Sequence, residues 1–293
     1  MRKTVLFILS TPYAGSHYLS LMLGSHSQSL HLGEMKRVCL RPNIKDSREC
    51  TFNRGNILKG LGPEHTERVF ETIFSRAEPQ VRLLVDNTKR VHWAERFLTN
   101  SNYDKKFIHL IRDPRAIIRR FAMRSRFRKK LRERWKIFRE VPEVRASIFF
   151  VREHVVWLYS WLRKNREITD FLAAHQLDHH VVTYRDLARD PGTEVRRVME
   201  WTGLNYEPGQ LEYWNFDHVG TEKRAYEWVK EQKTTFIDLR WQTELPAAAQ
   251  EACRRDSYVA SYIASLSLRM VDDGLTRLPL NVASGKPAPA DAV

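Results

Sequence analysis

Five short stretches of the chain are apolar or nearly so: Val5–Leu9, Leu30–Leu32, Val81–Val85, Phe107–Ile111 and Val181–Tyr184. Runs of this length, rich in β-branched and aromatic residues, predict strands buried on both faces, as in a parallel sheet, with the shortest, Leu30–Leu32, read as a strand or a loop. Between them apolar residues recur at helical spacing. Leu19, Met22 and Leu23 follow the first run, and Val69, Ile73 and Phe74 lie within Glu64–Arg76. Trp93, Phe97 and Leu98 follow the third run; Ile148, Val151, Val155, Leu158 and Leu162 precede the fifth, and Val195, Val198 and Met199 follow it. Strand alternating with helix predicts an α/β fold, a doubly wound, mainly parallel sheet flanked by helices. Ligands of such a sheet sit at the carboxyl ends of its strands. One domain is expected over residues 1–270, with a helical, basic insertion at about 120–170. A low-complexity tail, 271–293, is expected to be disordered.

Distinctive polar residues follow the predicted strand ends. Ser10-Thr11-Pro12-Tyr13-Ala14-Gly15 breaks the first run before a helix. A loop of this kind aims backbone N–H groups and the positive end of a helix at one point, which makes an anion site. Gly15 permits close approach of the backbone, and the Ser16 hydroxyl can donate. The same turn also fits an ordinary strand–helix connection, and it is not a Walker A loop, because G-x-x-x-x-G-K-[ST] is absent. Leu30–Glu34 ends in Gly-Glu and is expected to deliver Glu34 near that loop. Asp86-Asn87-Thr88-Lys89 follows the third run and Arg112-Asp113-Pro114-Arg115 the fourth. An arginine directly after a buried strand suits a phosphate.

The net charge of +14 points to an anionic partner: a nucleotide, a sulfated or phosphorylated substrate, nucleic acid or a membrane surface. From Arg112 to Arg139 there are 13 basic and 2 acidic residues. Phe127, Leu131, Trp135 and Phe138 share one face of the helix expected there, with the basic residues on its outer face. The cysteines Cys39, Cys50 and Cys253 are too few for a disulfide framework, and Cys39 and Cys50 are expected to be two isolated thiols, with a single bridge or a zinc half-site as the alternatives. The histidines show no metal-ligand spacing. No run is long enough to span a membrane, and Val5–Leu9 after Arg2-Lys3 is too short for a signal peptide core, so a reduced, cytoplasmic protein is expected.

Taken together, these stretches resemble the PAPS-dependent sulfotransferases, where PAPS is 3′-phosphoadenosine-5′-phosphosulfate. Thr11–Leu19 is similar to that family's 5′-phosphosulfate loop, P-[RK]-S-G-[TS]-[TS]. Leu32–Arg37 resembles its G-E stretch, and Val85–Lys89 the V-D-S-S-K of one branch. Phe107–Phe121 closely resembles the 3′-phosphate strand and helix with R-D-P-R. Val182–Leu187 with Asp190-Pro191 resembles Y-E-D-L…D-P, and His218-Val219-Gly220 with Arg224 is a looser match to a late H-x-x-G-N…R. Asp238–Trp241 resembles a D-x-x-W segment. The resemblance covers roughly residues 4–270 and implies a P-loop NTPase-like sulfotransferase fold. It implies transfer of a sulfuryl group from PAPS, without a metal, to a hydroxyl or amine of a small-molecule or glycan acceptor, possibly an acidic one. It makes Glu34 the expected general base, with His17 and His92 as alternatives, and Lys89 the stabiliser of the leaving oxygen. Tyr13, Ala14, Gly15, Ser16, His17 and Tyr18 are the expected phosphosulfate contacts. Arg112 with Arg120 or Arg119 is expected on the 3′-phosphate, Tyr184 near the adenine, and Arg224 as a further contact.

Two departures change the expectation. Tyr13 and Ala14 stand where the family has Lys or Arg and then Ser, and Arg120 replaces a serine eight residues after Arg112. Tyr13 supplies no positive charge, so a PAPS-binding relative of low activity is one alternative. Another is a polyanion- or nucleic-acid-binding protein using the Arg112–Arg139 helix. That reading gives the strand–R-D-P-R junction no role, so no nucleic-acid partner is expected.

Overall fold

A computed structural model describes residues 2–40, 52–53, 57–123, 127–145, 147–220, 223–234 and 237–279. The strands in chain order are β1 Thr4–Ser10, β2 Ser29–Gly33, β3 Phe52–Asn53, β4 Leu83–Lys89, β5 Asp104–Ile111, β6 His179–Thr183, β7 Val219–Gly220, β8 Leu268–Val271 and β9 Gly274–Arg277. Five of them form one sheet in the order β2-β4-β1-β5-β6, and every pairing in it is parallel. The expected α/β architecture with a parallel, helix-flanked sheet is the observed one.

The central strand explains its own continuous apolar run. Val5, Phe7 and Leu9 belong to the core on one sheet face, while Leu6 and Ile8 belong to the core on the other. On the first face Phe7 stacks on Phe107 of β5 at 5.5 Å, and the helix Val69–Arg76 packs Val69, Phe70 and Ile73. On the second face lie Leu19, Met22 and Leu23 of the helix Ser16–Gly24 and Val195, Val198 and Met199 of the helix Pro191–Thr202. With neither face wet, a strand has no alternation to show.

A third core lies beyond the end of β5, where Ile111 meets Ile117, Phe121, Ile137, Trp157 and Trp161. The single basic helix expected after Arg112 is two helices, Pro114–Ala122 and Phe127–Glu140. The second docks by Glu133 and Ile137, both buried, while Leu131 and Trp135 are 44% and 52% exposed. Of the expected apolar stripe, Leu131 and Trp135 thus face outward, while Phe138 is half-buried against this core. Glu133 turns in because it accepts from Ser160 Oγ at 2.9 Å and lies 3.6 Å from Arg163. The ordered chain also runs past the expected boundary at 270, as the antiparallel hairpin β8–β9. Asp273 in its turn accepts from Arg185 Nε at 2.5 Å and Arg189 Nε at 2.7 Å, which ties the hairpin to the helix Tyr184–Arg189. Residues 280–293 lie outside the described residues, as does Cys50; Cys39 and Cys253 are buried free thiols.

Candidate active site

The carboxyl ends of β2, β4, β1, β5 and β6 carry two clusters on either side of the loop 11–15. The first is built on Glu34, directly after β2. Lys89 Nζ, at the end of β4, donates to Glu34 Oε1. Arg37 Nη1 lies 3.6 Å from Glu34 Oε2, and His17 Nε2 lies 3.8 Å from Oε1. His17 Nδ1 is 2.9 Å from Asn87 Nδ2. Three potentially cationic groups thus face one carboxylate. Burial first, then the positive charge of Lys89, holds the His17 imidazole well below its ordinary pKa. His17 is consequently neutral near pH 7.

Local chemistry sets this geometry. Gly33 takes a φ of 74° at the end of β2, the left-handed region open to glycine, and the chain turns there before Glu34. Asp86, fully buried one strand away, catches the turn. Its Oδ1 accepts from Thr88 N at 2.8 Å, Thr88 Oγ1 at 2.6 Å and Met35 N at 3.4 Å, and its Oδ2 from Trp93 Nε1 at 2.6 Å. Thr88 Oγ1 in turn accepts from Lys36 N at 3.2 Å. Burial raises the Asp86 carboxyl to about 6 despite these donors. Lys89 itself has a φ of 70°, a conformation that costs a non-glycine residue roughly 1 kcal/mol or more. It falls where the β1–β4 register shifts.

The second cluster is built on Arg112, at the end of β5. Its guanidinium donates to the Tyr13 carbonyl at 2.9 Å and to Asp238 Oδ2 at 3.1 Å, and it lies 3.9 Å over the Tyr184 ring. The Asp238 N–H donates to Tyr184 Oη at 3.3 Å. Burial alone would raise Asp238, but Arg240 and Arg112 hold its carboxyl well below the usual range. Tyr184 also closes on the loop: a Cβ on Gly15, whose φ is 99°, would meet its ring at 2.8 Å. Tyr13, with a φ of 70°, turns its ring toward Phe121 at 5.8 Å, with the Arg120 guanidinium 5.5 Å from its centroid.

Between the clusters lies the start of the helix Ser16–Gly24. It has no side-chain cap and no acidic residue in its first turn. Ser16 Oγ, Thr11 Oγ1 and Arg112 Nε are buried with no hydrogen-bond partner among the described residues. Uncapped helix amides, two orphaned hydroxyls and an orphaned guanidinium N–H form a donor set that suits an anion.

Of the residues singled out from sequence, Glu34, Lys89 and His17 converge, as do Tyr13, Gly15, Arg112 and Tyr184. Ala14 and Tyr18 are buried in the sheet core, Tyr18 edge-on to Tyr213 at 5.7 Å. His92 is exposed and contacts Lys36 Nζ, away from Glu34. Arg119 is bound to Glu244, with Nε 2.7 Å from Oε2. The Arg224 side chain lies outside the described residues. Sequence reading gave no role to Asp86, Asn87 or Arg37, and none to Asp238 as the partner of Arg112. Asp86 and Asn87 stood in the quoted V-D-N-T-K stretch, but only the neighbouring strand shows what they hold. Among the described residues, no group of three or more His, Cys, Asp or Glu is placed to hold a metal ion.

A model of the sulfotransferase family matches residues 6–208. Mouse (Mus musculus) carbohydrate sulfotransferase 5 is 28% identical over 170 residues, which cover 53% of this chain and 41% of that protein. The chain thus spans less than half the length of that curated relative. Among solved structures, the sulfotransferase domain from the curacin biosynthetic pathway has a TM-score of 0.53 at 19% identity, covering 90% of this chain and 98% of that domain. The likeness is one of fold.

Proposed function

We propose that this chain, which belongs to the sulfotransferase family, moves the sulfuryl group of PAPS to a hydroxyl or amine of a small-molecule or glycan acceptor, with Glu34 as general base. The observation that carries this reading is the convergence of Glu34, Lys89 and His17 beside a helix N-terminus whose nearby hydroxyls, Ser16 Oγ and Thr11 Oγ1, are buried and unpartnered. These residues fit the co-substrate. Ser16, the loop amides and the Gly15 backbone would hold the 5′-phosphosulfate, Arg112 with Arg120 the 3′-phosphate, and Tyr184 the adenine.

Bound PAPS supplies an electrophilic sulfur and a phosphate leaving group. The chain must then position the acceptor oxygen in line, remove its proton and stabilise charge on the leaving oxygen. Glu34 takes the proton at its carboxylate. Lys89, already held against Glu34, faces the leaving side as charge develops there. Arg112 shares its charge between Asp238 and the 3′-phosphate, and its orphaned Nε provides a further donor. Tyr13, packed on Phe121, leaves Lys89 to supply the positive charge that the loop lacks.

The name of the mouse relative favours a glycan acceptor among the possibilities. Against the rival reading of a nucleic-acid binder on one continuous Arg112–Arg139 helix, the segment is two helices, and Arg115 and Arg119 are buried in internal pairs. Incubation with sulfur-labelled PAPS and a panel of hydroxylated and glycan acceptors tests the proposal. Label transfer by wild type, lost in Glu34→Gln with nucleotide binding intact, is the expected result. Binding of PAPS without transfer to any acceptor would leave a binding-only relative.

A further inference from the structure

Four of the six large hydrophobic side chains exposed among the described residues come from one segment: Met123, Leu131, Trp135 and Phe150, the last 89% exposed. Two of them, Leu131 and Trp135, share one helix face with the half-buried Phe138. Leu131, Trp135 and Phe138 follow one another at helical spacing on Phe127–Glu140. Trp135 meets Phe138 at 5.7 Å and Phe149 at 5.0 Å, and Phe138 meets Phe149 at 5.6 Å. Phe150, the exposed ring, follows Phe149 directly in the chain. A contiguous apolar face of this kind on a strongly charged helix marks an interaction surface.

The charges around it select the partner. The carboxylates of the segment are spent internally: Glu133 on Ser160 and Arg163, Glu140 on Arg163 at 2.6 Å, Glu143 on Arg166 at 2.5 Å. Arg132, Arg139 and Arg152 are exposed and make no ion pair among the described residues. On the helix Phe127–Glu140, Arg132 and Arg139 stand three residues before and four after the exposed Trp135, so cations flank the aromatic face. A second copy of a chain with net charge +14 would bring like charges together. Rings that sit at headgroup depth beside unpaired guanidinium groups match the interface of an anionic bilayer.

We propose that the Leu131–Trp135–Phe138–Phe149–Phe150 face docks on an anionic lipid surface. The inference is independent of the sulfuryl chemistry, because none of these residues belongs to either strand-end cluster. The test is co-sedimentation of the full chain with phosphatidylcholine vesicles, with and without phosphatidylserine. Wild type is expected to bind only the phosphatidylserine vesicles. Arg132→Gln with Arg139→Gln should weaken binding roughly 25-fold, about fivefold for each charge removed. Trp135→Ser with Phe150→Ser should weaken it roughly tenfold or more. Phe150→Ser alone keeps the test open should the double variant fail to fold, since so exposed a ring cannot hold the fold together. Absent binding, equal binding to neutral vesicles, or binding indifferent to the aromatic substitutions would overturn the proposal. A dimer in analytical ultracentrifugation that Phe150→Ser dissolves would overturn it too, and would assign the face to a second copy.

Discussion

Lys89 Nζ donates to Glu34 Oε1 across the carboxyl ends of two neighbouring parallel strands. The contact joins residues 55 apart in the sequence, and both approach it from left-handed backbone, Gly33 at 74° and Lys89 at 70°. A strained non-glycine residue persists only where its surroundings over-determine it. Here the surroundings are the Asp86 hydrogen bonds and the register shift between β1 and β4.

Replacing Glu34 by Gln keeps the size and the acceptor oxygen but removes basicity. Turnover is expected to fall roughly 10²–10⁴-fold, with adenosine 3′,5′-bisphosphate affinity near wild type. Turnover within a few-fold of wild type would pass the role to His17, whose ring is already neutral.

Lys89→Ala removes the cation nearest the base. If Lys89 stabilises the leaving oxygen, turnover drops on the order of 10²-fold or more, while nucleotide affinity changes far less. Tyr13→Lys, in the same assay, should restore part of the loss. A silent Lys89→Ala together with an inert Tyr13→Lys would show that charge at this loop does not limit the reaction.

Stability should fall in mild acid. His109 is buried in β5, Nε2 3.0 Å from Asn165 Oδ1, and burial holds it down at about 4. Its folded pKa lies below the unfolded 6.5, so the unfolded chain takes up the proton first. Stability is intact above 6.5 and is lost as pH falls toward 4, by up to roughly 3 kcal/mol. His17 and His31, also pushed down by burial, act in the same direction. Asp86, raised to about 6, acts in the opposite sense, since its cost grows as pH rises from 3.8 through 6. Melting curves of wild type and His109→Gln between neutral pH and pH ~4.5 test the sign. The wild-type midpoint should fall the more steeply, and parallel curves would remove His109 from the account.

The centre of the sheet was legible in the sequence because the strand there is buried on both faces. β1 carries all seven of its residues buried, so its apolar run needed no partner to be recognised. The position of Glu34 near the loop 11–15 was legible too, from its Gly-Glu context and the family resemblance. The Arg112–Asp238 pair was not, because its members stand 126 residues apart and meet only through tertiary packing. The helix Phe127–Glu140 misled for a different reason. Of its apolar stripe Phe138 packs on the core, while Leu131 and Trp135 face out and the inward side holds Ile137 and a buried glutamate with two partners across the interface. The hairpin β8–β9 was missed because two four-residue strands carry almost no periodic signal, and their anchor is a set of ion pairs to Arg185 and Arg189.

Under the proposed function one nucleotide is gripped at two places, by the loop 11–15 at its 5′ end and by Arg112 at its 3′-phosphate. Thermal-shift titration with adenosine 3′,5′-bisphosphate against AMP measures this directly, since a ligand of the native state raises the melting temperature with its concentration. A clear shift with adenosine 3′,5′-bisphosphate, a much smaller one with AMP, and loss of the difference in Arg112→Ala are expected. Equal shifts from both nucleotides, or an unchanged preference in Arg112→Ala, would contradict that grip.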